Sequence, residues 1–441
     1  MNLRTQDPPL QRMLEAERQR QLEGVELVPS ENYVSAAVLE AMGSVLTNKY
    51  SEGYPGRRYY GGNENVDEVE RLAQERARTL FGVPHANVQP YSGSPANLAV
   101  YFATCRPGDP IMGQNLPDGG HLTHGWNVSI SGTYFRSIPY HVNVDGYIDL
   151  PEVWRLAREH RPRLIWCGAT AYVREFPFAE FGTVAEEVGA YFAADIAHVA
   201  GLVVGGVHAS PTPHAHIITT TTHKTLRGPR GAMIMVTAKG LAKDPDLAEK
   251  IDRAVFPGLQ GGPHDHTTAA IAAALGEAMR PEFKAYAAQV VRNAKALGRA
   301  LQEHGFTLVT GGTDNHMLLL DLTLTGPGRG VFVQEALDRI GITVNKNTIP
   351  GEPSSPFYPS GIRLGTPAAT TRGMREAEMA RLAAWIAAAA ARVAEWQLPA
   401  DRKARAAALT EFRKTIQADP DLVRMRDEVR QFCVRFPVPG T

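Results

Sequence analysis

Apolar residues in this chain follow two patterns, helical spacing over long stretches and short continuous runs between them. The helical spacing predicts helices at about 9–23, 36–46, 66–81, 281–304, 332–340, 376–395 and 404–417. The continuous runs predict buried strands at LIWCG, YFAAD, HIITTTT and AMIMV. Because strands alternate with helices, we expect an α/β fold with a mainly parallel sheet and crossover helices.

The connections between these segments refine the prediction. AMIMV follows HIITTTT too closely for a helical crossover, so at least this pair can be antiparallel. After the long helix, TLVTGG, HMLLLDL and ITVN predict further strands. We therefore expect an N-terminal helical arm at 1–30, a large α/β domain at 31–280 and a smaller α+β domain at 281–441.

Composition narrows the class of protein. Hydrophobic residues make up 44% of the 441 residues, which indicates a folded globular chain. Lys plus Arg and Asp plus Glu both number 46, so the positive excess typical of nucleic-acid-binding proteins is missing. The three cysteines form no CxxC pair and predict neither disulfides nor a metal site. Without a signal peptide or a membrane-length apolar run, we expect a cytoplasmic protein.

The segment TTTTHKTLRGPRG carries the strongest chemical signal. It predicts a β-branched strand that ends in His223 and Lys224, followed by a loop rich in glycine and arginine. Open α/β sheets bind ligands at this edge. A partly desolvated lysine there has a lowered pKa and can attack an aldehyde. Taken alone, Lys224 could simply cap a strand, but the flanking threonines and RGPRG favour chemistry.

Asp195 follows the apolar strand in AADIAHVAGL and is expected at the same sheet edge as Lys224. An acid that faces the pyridine nitrogen of pyridoxal phosphate (PLP) keeps the ring protonated and makes it a better electron sink. His198 would face the same side if the chain turns helical after Asp195. A helix N-cap or a structural ion pair explains Asp195 equally well when it is taken alone.

Three further motifs offer groups for an anion or a flat ring. In SGSPAN, Ser92, Gly93 and Ser94 precede an apolar helix whose N-terminus attracts phosphate, although serine is also a common N-cap. In GGHLTHG, two glycines let the backbone approach closely, so that His121 can lie over a ring. In SGIRLGTPA, Arg363 can hold a carboxylate through two parallel hydrogen bonds, with a surface ion pair as the ordinary alternative.

Taken together, these motifs resemble those of serine hydroxymethyltransferases, and the likeness runs from end to end. It also covers LVPSENYVS, NKYSEGYPGRRYYGGNENVDEVE, FPGLQGGP, GGTDNH and TVNKN. The resemblance implies a fold-type I PLP-dependent transferase that interconverts serine and glycine, with tetrahydrofolate as one-carbon acceptor. It also implies a homodimer or a dimer of dimers with shared active sites. We expect no metal, nucleic-acid or membrane partner.

The resemblance also implies roles for the matching residues. The cofactor contacts would be Lys224 as the covalent attachment, Asp195 at the ring nitrogen, His121 stacked on the ring, and Ser92, Gly93, Ser94, Thr170, His198 and His223, with Tyr50 and Gly262 from the other subunit. The amino-acid substrate would contact Ser30 and Arg363, with Tyr60 and the acid/base carboxylate of Glu52 from the other subunit. The folate pocket would use Glu52, Tyr59, Tyr60, Leu116, Leu122, Asn347 and Phe357.

Several positions near these sites depart from the usual family residues. They are Pro95, Pro117, Asp118, Thr170, Val173 and His264. The methyl group of Thr170 would crowd the ring, and Asp118 changes the charge beside the expected folate entrance.

These departures leave other functions open. One methyl group is worth only about 1–3 kcal/mol in a pocket, so the chain could act on α-methylserine and D-alanine. A folate-independent aldolase or β-eliminating enzyme is a further alternative, but the retained Glu52, Tyr59, Tyr60 and Asn347 favour folate-dependent transfer. A non-catalytic regulator or RNA-binding protein is disfavoured because Lys224, Asp195 and Arg363 are all present and the chain has no excess of positive charge.

Overall fold

The computed structural model describes residues 3–440. Its strands are β1 (Val25–Glu26), β2 (Gly53–Tyr54), β3 (Arg57–Arg58), β4 (His85–Asn87), β5 (Pro110–Gln114), β6 (Arg136–Tyr140), β7 (Leu164–Cys167), β8 (Tyr191–Asp195), β9 (Ile217–Thr221), β10 (Ala232–Val236), β11 (Thr307–Leu308), β12 (Met317–Asp321), β13 (Ile342–Thr343), β14 (Asn345–Asn347) and β15 (Gly361–Gly365).

The α-helices are α1 (Leu3–Gln6), α2 (Pro8–Glu23), α3 (Ala36–Met42), α4 (Glu64–Phe81), α5 (Gly93–Thr104), α6 (Ile130–Tyr134), α7 (Leu150–His160), α8 (Phe178–Val188), α9 (Ala200–Val204), α10 (Ala238–Lys243), α11 (Leu247–Arg253), α12 (Asp265–Ala278), α13 (Pro281–Glu303), α14 (Gly330–Arg339), α15 (Pro367–Thr371), α16 (Glu376–Arg392), α17 (Arg402–Ala418) and α18 (Pro420–Cys433). Two compact units result, one formed by Val34–Val291 and the other by residues 3–33 with 292–440. None of the helices in residues 3–440 is long and apolar enough to span a membrane.

A seven-stranded sheet organises the unit Val34–Val291. Its strand order is β4-β10-β9-β8-β7-β5-β6. Strands β6, β5, β7, β8 and β9 run parallel, whereas β10 is antiparallel to both β9 and β4. The sequence prediction of a mainly parallel sheet with an antiparallel IITTT–AMIMV pair is therefore confirmed.

Both faces of this sheet are buried, which explains why its strands are almost continuously apolar. Side chains alternate between the two faces along each strand. On β7, Ile165 and Cys167 enter one hydrophobic core, while Leu164 and Trp166 enter the other. Helices cover the sheet, and α4 ends where Gly82 adopts the left-handed conformation at φ 63°, as its sequence predicts.

The unit of residues 3–33 and 292–440 contains an antiparallel sheet of order β11-β12-β15-β14. Strand β1 pairs in parallel with β13. Apolar residues from β12, β15, α14, α16, α17 and α18 form one core, in which the rings of Phe332 and Phe412 meet edge to face at 4.8 Å.

The sequence prediction missed several elements. Strands β4, β5 and β6 and helix α18 were not expected. ITVN was expected to form one strand, but it belongs to two: β13 pairs with β1, and β14 pairs with β15. The interpretation of TLVTGG as a full strand was also wrong, because only β11 is extended and Val309–Gly311 turns as a 3-10 segment.

Candidate active site

The carboxyl edge of the seven-stranded sheet brings Asp195 and Lys224 to the same side. Asp195 is the last residue of β8, and Lys224 lies just beyond the end of β9. Because β8 and β9 are parallel, with Asp195 opposite Thr219, both strands end at the same edge of the sheet. This is the edge at which open α/β sheets bind ligands.

The Asp195 carboxylate is held by a network of donors. His124 Nε2 lies 3.1 Å from its Oδ2, and Asn97 Nδ2 donates to the same oxygen at 2.9 Å. The backbone N–H of Ala197 donates to Oδ1 at 3.1 Å. Burial opposes ionisation, but the hydrogen bonds and charge of His124, with Asn97, outweigh it and hold the Asp195 pKa well below its usual range. The site therefore contains a permanent negative charge.

His121 lies beside this carboxylate and is uncharged at neutral pH. Burial and the neighbouring His124 lower the pKa of His121 to about 4. The Thr123 N–H donates to His121 Nδ1 at 3.2 Å, which places the ring proton on Nε2. The preceding Gly120 is required for this approach, because an added Cβ would stand 2.1 Å from the Gln114 carbonyl oxygen.

His121, His124 and Asp195 have donor atoms within 4.8 Å of one another, a spacing that could hold a metal ion. Two of these three groups, however, are already hydrogen-bonded to each other. A neutral imidazole beside a buried carboxylate also suits a flat, protonated heteroaromatic ring. The geometry thus fits PLP.

The N-terminus of α5 forms a cradle suited to phosphate. Ser92 is its N-cap, and within residues 3–440 its hydroxyl makes no capping hydrogen bond. Ala96 N–H donates to the Ser92 carbonyl oxygen at 3.1 Å, and Pro95 has no N–H. The free N–H groups of the first turn are therefore those of Gly93 and Ser94.

Strand β9 packs closely against this cradle. A Cβ added to Gly93 would lie 2.9 Å from Thr221 Cγ2. The buried hydroxyls of Thr219 and Thr221 have no hydrogen-bond partner among residues 3–440. Because buried hydroxyls are normally satisfied, these two are available to a bound group.

The compact unit Val34–Val291 also contains the other predicted cofactor residues, His223, Lys224, His198 and Thr170. Burial and the neighbouring Arg230 lower the pKa of His223 to about 3. The Thr225 hydroxyl donates to the His198 carbonyl oxygen at 3.0 Å, which ties the loop after Lys224 to the turn after β8.

Two of the departures from the family pattern, Asp118 and Thr170, lie on segments that are hydrogen-bonded to each other. The Thr170 N–H donates to the Gly119 carbonyl oxygen at 2.7 Å. The Asp118 carboxylate accepts from Asn115 Nδ2 at 3.1 Å, and burial raises its pKa. Asp118 thus belongs to a hydrogen-bonded turn, with Pro117 beside it. Val173 is buried.

A second group of predicted residues lies around Tyr50. Its hydroxyl donates to Glu52 Oε1 at 3.3 Å, and its ring meets that of Tyr60 edge to face at 5.1 Å. A Cβ added to Gly262 would lie 3.2 Å from the Tyr50 ring. Tyr59 contacts the Phe256 ring at 5.6 Å. The structure therefore brings these residues together in a single chain.

His264 stacks on Tyr91, with the two rings 4.2 Å apart and nearly parallel. The Tyr91 hydroxyl donates to the Gly262 carbonyl oxygen at 2.7 Å. Tyr91 immediately precedes Ser92, so this departure from the family pattern adjoins the phosphate cradle in the chain. Sequence reasoning did not single out Tyr91.

Arg363 and Ser30 lie in the other unit, on segments that touch. Burial lowers the pKa of Arg363, on β15, to about 10, so it stays charged. Its Nε donates to Asn345 Oδ1 at 3.0 Å. Leu27, close to Ser30, accepts a hydrogen bond from the Gly365 N–H at 2.7 Å.

The remaining residues expected at a folate pocket have varied surroundings. Phe357 is 80% exposed and Leu122 is 49% exposed. Leu116 begins a 3-10 turn and is partly buried. Asn347 ends β14, and its Nδ2 donates to the Thr348 carbonyl oxygen at 2.7 Å.

The residues that hold Asp195 were missed in the sequence. Asn97 belongs to SGSPAN and His124 to GGHLTHG. The available signal was spacing, because His124 follows His121 by one short turn and Asn97 lies one helical turn beyond Gly93.

A lysine and an ionised carboxylate at the carboxyl edge of a mainly parallel sheet, beside a free helix N-terminus, define a PLP-dependent enzyme. A family model described as serine hydroxymethyltransferase matches residues 3–386. A protein named serine hydroxymethyltransferase from Sorangium cellulosum (strain So ce56) is 55% identical over 435 residues, 98% of this chain and 96% of its own. One of the same name from Acidothermus cellulolyticus (strain ATCC 43068 / DSM 8971 / 11B) is 56% identical with the same coverage. The chain belongs to the serine hydroxymethyltransferase family.

Proposed function

We propose that the protein is a PLP-dependent hydroxymethyltransferase that interconverts serine and glycine, with tetrahydrofolate as the one-carbon acceptor. The observation that carries the proposal is the ionised Asp195 beside uncharged His121 at the sheet edge that presents Lys224. The family membership supports the same chemistry.

The proposed roles follow from the state of each group. PLP supplies, when bound, the electron sink for cleavage between Cα and the hydroxymethyl carbon. Lys224 would attach the cofactor, and Asp195 would hold a proton at the pyridine nitrogen. His121, which carries no charge, would pack against the ring. The N–H groups of Gly93 and Ser94 bind the phosphate, where the helix dipole favours negative charge.

The amino-acid substrate would be bound by its carboxylate. Arg363 retains its charge at neutral pH and offers two parallel donors, and Ser30 offers a hydroxyl. Glu52 would move a proton at the substrate hydroxyl, assisted by Tyr60.

We also propose a fold-type I homodimer or dimer of dimers with shared active sites. The division into an arm at 1–30, a large domain at 31–280 and a small domain at 281–441 is part of this proposal. The exposure of Tyr50, Tyr59 and Tyr60, at 54%, 74% and 48%, supports a role for these rings at a neighbouring subunit and at folate. Leu116, Leu122, Asn347 and Phe357 would complete the folate pocket.

The test is cofactor attachment together with turnover. After borohydride reduction, the purified protein with PLP should keep a covalently attached pyridoxyl group through denaturation, and it should form glycine from serine only with tetrahydrofolate. Lys224→Ala should lose both properties, while the exposed control Lys414→Ala should keep them. Turnover of serine without folate, or preference for α-methylserine and D-alanine, would contradict the proposed reaction.

A further inference from the structure

Thr123 is a buried residue whose hydroxyl and backbone N–H both reach the ring of His121. It is 6% exposed and lies inside the 3-10 turn Leu122–His124, which His121 caps. The Thr123 hydroxyl oxygen lies 2.7 Å from His121 Nδ1, and the Thr123 backbone N–H donates to the same nitrogen at 3.2 Å. One ring nitrogen of His121 is thus contacted from two directions by a single residue.

The backbone N–H decides where the proton between these two side chains lies. An N–H group can only donate, so His121 Nδ1 accepts from it and carries no proton. The Thr123 hydroxyl must then be the donor in its own contact with Nδ1. An imidazole with a bare Nδ1 is neutral and carries its proton on Nε2. The geometry of Thr123 therefore selects one tautomer of His121.

Asn97 supports the Thr123 hydroxyl from the other side. Its Nδ2 donates to Thr123 Oγ1 at 2.9 Å and to Asp195 Oδ2 at 2.9 Å, so each of its two amide protons has an acceptor. Asn97 is 1% exposed, and solvent does not compete for either bond. A continuous path of hydrogen bonds therefore joins the Asp195 carboxylate to the ring of His121.

The main chain of Thr123 is held by its neighbours in the fold. The hydroxyl of the buried Tyr101, on α5, donates to the Thr123 carbonyl oxygen at 2.7 Å. On the following residue, the His124 ring stacks on Trp166 of β7, with the ring centroids 4.8 Å apart. The turn that carries Thr123 is therefore attached to both α5 and the sheet, which fixes the directions of its N–H and hydroxyl groups.

The hydroxyl of Thr123 does not serve the turn itself. Threonine hydroxyls in turns often bond to nearby backbone groups. Within residues 3–440, however, this hydroxyl bonds to two side chains, accepting from Asn97 and donating to His121. Neither bond closes the backbone of the turn, so the hydroxyl acts on the ring of His121.

We propose that Thr123 is a positioning residue that fixes the tautomer and the ring plane of His121 for its contact with PLP. This inference rests on the proposed function, because it concerns the residue assigned to the cofactor ring. Held in this way, His121 presents a flat, uncharged face and an Nε2–H that donates but cannot accept. Without the Thr123 hydroxyl, Nδ1 keeps one hydrogen bond, the ring turns more freely about its side-chain bonds, and PLP binds less tightly.

Nitrogen NMR of the full-length protein with labelled histidine tests the tautomer, before and after PLP is added. The resonances that disappear in His121→Phe belong to this ring. In the wild type we expect a protonated Nε2 and a bare Nδ1 that accepts hydrogen bonds. Thr123→Val keeps the branched shape and the backbone N–H, so its Nδ1 resonance should move towards that of an unbonded ring nitrogen, while Thr123→Ser should keep the wild-type position. A protonated Nδ1 in the wild type, or an Nδ1 resonance that Thr123→Val leaves in place, overturns the inference.

Equilibrium titration of the variants with PLP tests whether Thr123 acts through His121. Thr123→Val should weaken PLP binding about tenfold, the scale of one lost hydrogen bond, and Thr123→Ser should bind as the wild type does. His121→Phe keeps a flat ring but has no Nδ1, so Thr123→Val added to it should weaken binding less than about twofold. An equal weakening in both backgrounds would show that Thr123 supports the fold and not the ring, which overturns the inference.

The matched control is Thr183→Val, which removes an exposed hydroxyl that donates to the Ala179 carbonyl oxygen at 3.1 Å. It should leave both the Nδ1 resonance and the affinity for PLP unchanged. The wild-type tautomer is measured without any change at Thr123, so the inference can fail even if Thr123→Val does not fold. A protein that gives the expected resonances and affinities but converts no serine to glycine refutes the proposed function and leaves the role of Thr123 standing.

Discussion

Asp195 keeps a negative charge in a partly buried position, and three donors stabilise that combination. Histidine, asparagine and a backbone N–H each contribute to holding the carboxylate ionised. His121 shows the opposite behaviour, since burial keeps it neutral. The pKa values of both side chains are lowered. As a result, Asp195 is an anion at neutral pH and His121 is an uncharged ring.

Replacing Asp195 by asparagine tests the value of this charge. Asp195→Asn keeps the size of the side chain but removes the negative charge, so we expect kcat for serine cleavage to fall at least about a hundredfold, the scale of losing one preorganised electrostatic contact. Attachment of PLP to Lys224 should persist and can be followed by absorbance. A wild-type kcat in this variant would contradict the role, and Asp246→Asn provides an acid-to-amide control.

At the scale of elements, the start of α5 packs directly against the end of β9, because Gly93 has no side chain. Gly93 begins α5, and Thr221 ends β9, with no room for a methyl group between them. Pro95 fits the first turn because that N–H has no partner within a helix, but it also removes one donor from the phosphate cradle.

Gly93→Ala should therefore shift the helix start away from β9. We expect the variant to bind PLP about tenfold more weakly, in line with an overpacking cost of about 1–3 kcal/mol. Equilibrium titration of the apo protein with PLP measures this change. The double variant Gly93→Ala/Thr221→Ser lacks the obstructing Cγ2 and should recover most of the affinity; equal weakness in both variants would point to a cause other than this contact.

Much of the sheet was predictable because β7 and β10 are apolar throughout, β8 is apolar up to Asp195, and β9 consists of β-branched residues. Strands β5 and β6 were not, because Pro110, Gly113 and Pro139 interrupt their apolar pattern. Proline is tolerated in β6 because β6 is an edge strand, and strand order cannot be read from periodicity. Asp195 and Lys224 could be placed at one sheet edge because each follows a strand, β8 or β9, that the sequence pattern identifies. The two side-chain donors to Asp195 come from α5 and from a 3-10 turn, so only the three-dimensional arrangement identifies them.

Across the whole molecule, buried acids whose pKa is raised make one contribution to the response of stability to pH. Glu26 has a folded-state pKa of about 8 compared with its ordinary 4.5. Burial also raises the pKa of Glu70, Asp265 and Asp338. A raised pKa means that the stabilising contribution is complete below the unfolded value and is lost as pH rises through the folded one.

The contribution of Glu26 to the melting temperature of the apo protein should accordingly be lost between about pH 5 and pH 9. Differential scanning calorimetry should show that the difference in melting temperature between wild type and Glu26→Gln changes over this range, because the amide does not ionise. Glu23→Gln should retain the wild-type slope. An unchanged slope in Glu26→Gln would mean that Glu26 does not titrate in this window.

Helix α2 exposes three large apolar side chains. None of its side chains is buried within residues 3–440, and Leu10, Met13 and Leu14 are 42%, 68% and 52% exposed. Since a cluster of exposed apolar side chains marks an interaction surface, the proposed dimer or dimer of dimers predicts that light scattering finds twice or four times the mass of one chain. Met13→Lys/Leu14→Lys should weaken association, whereas Gln19→Lys on the opposite face should not. A monomeric wild type would contradict the proposed assembly.

The antiparallel pairing of β9 with β10 has a kinetic consequence. Lys224 lies in the connection between these strands. Only a short loop separates Thr221 from Ala232, with which it pairs. The connection between β8 and β9 is a longer crossover. Short loops close with less entropic cost and fold earlier. The lysine loop is therefore assembled during folding before Asp195 reaches its place beside β9, and pulse-labelled amide exchange should protect β9 and β10 together, ahead of β7.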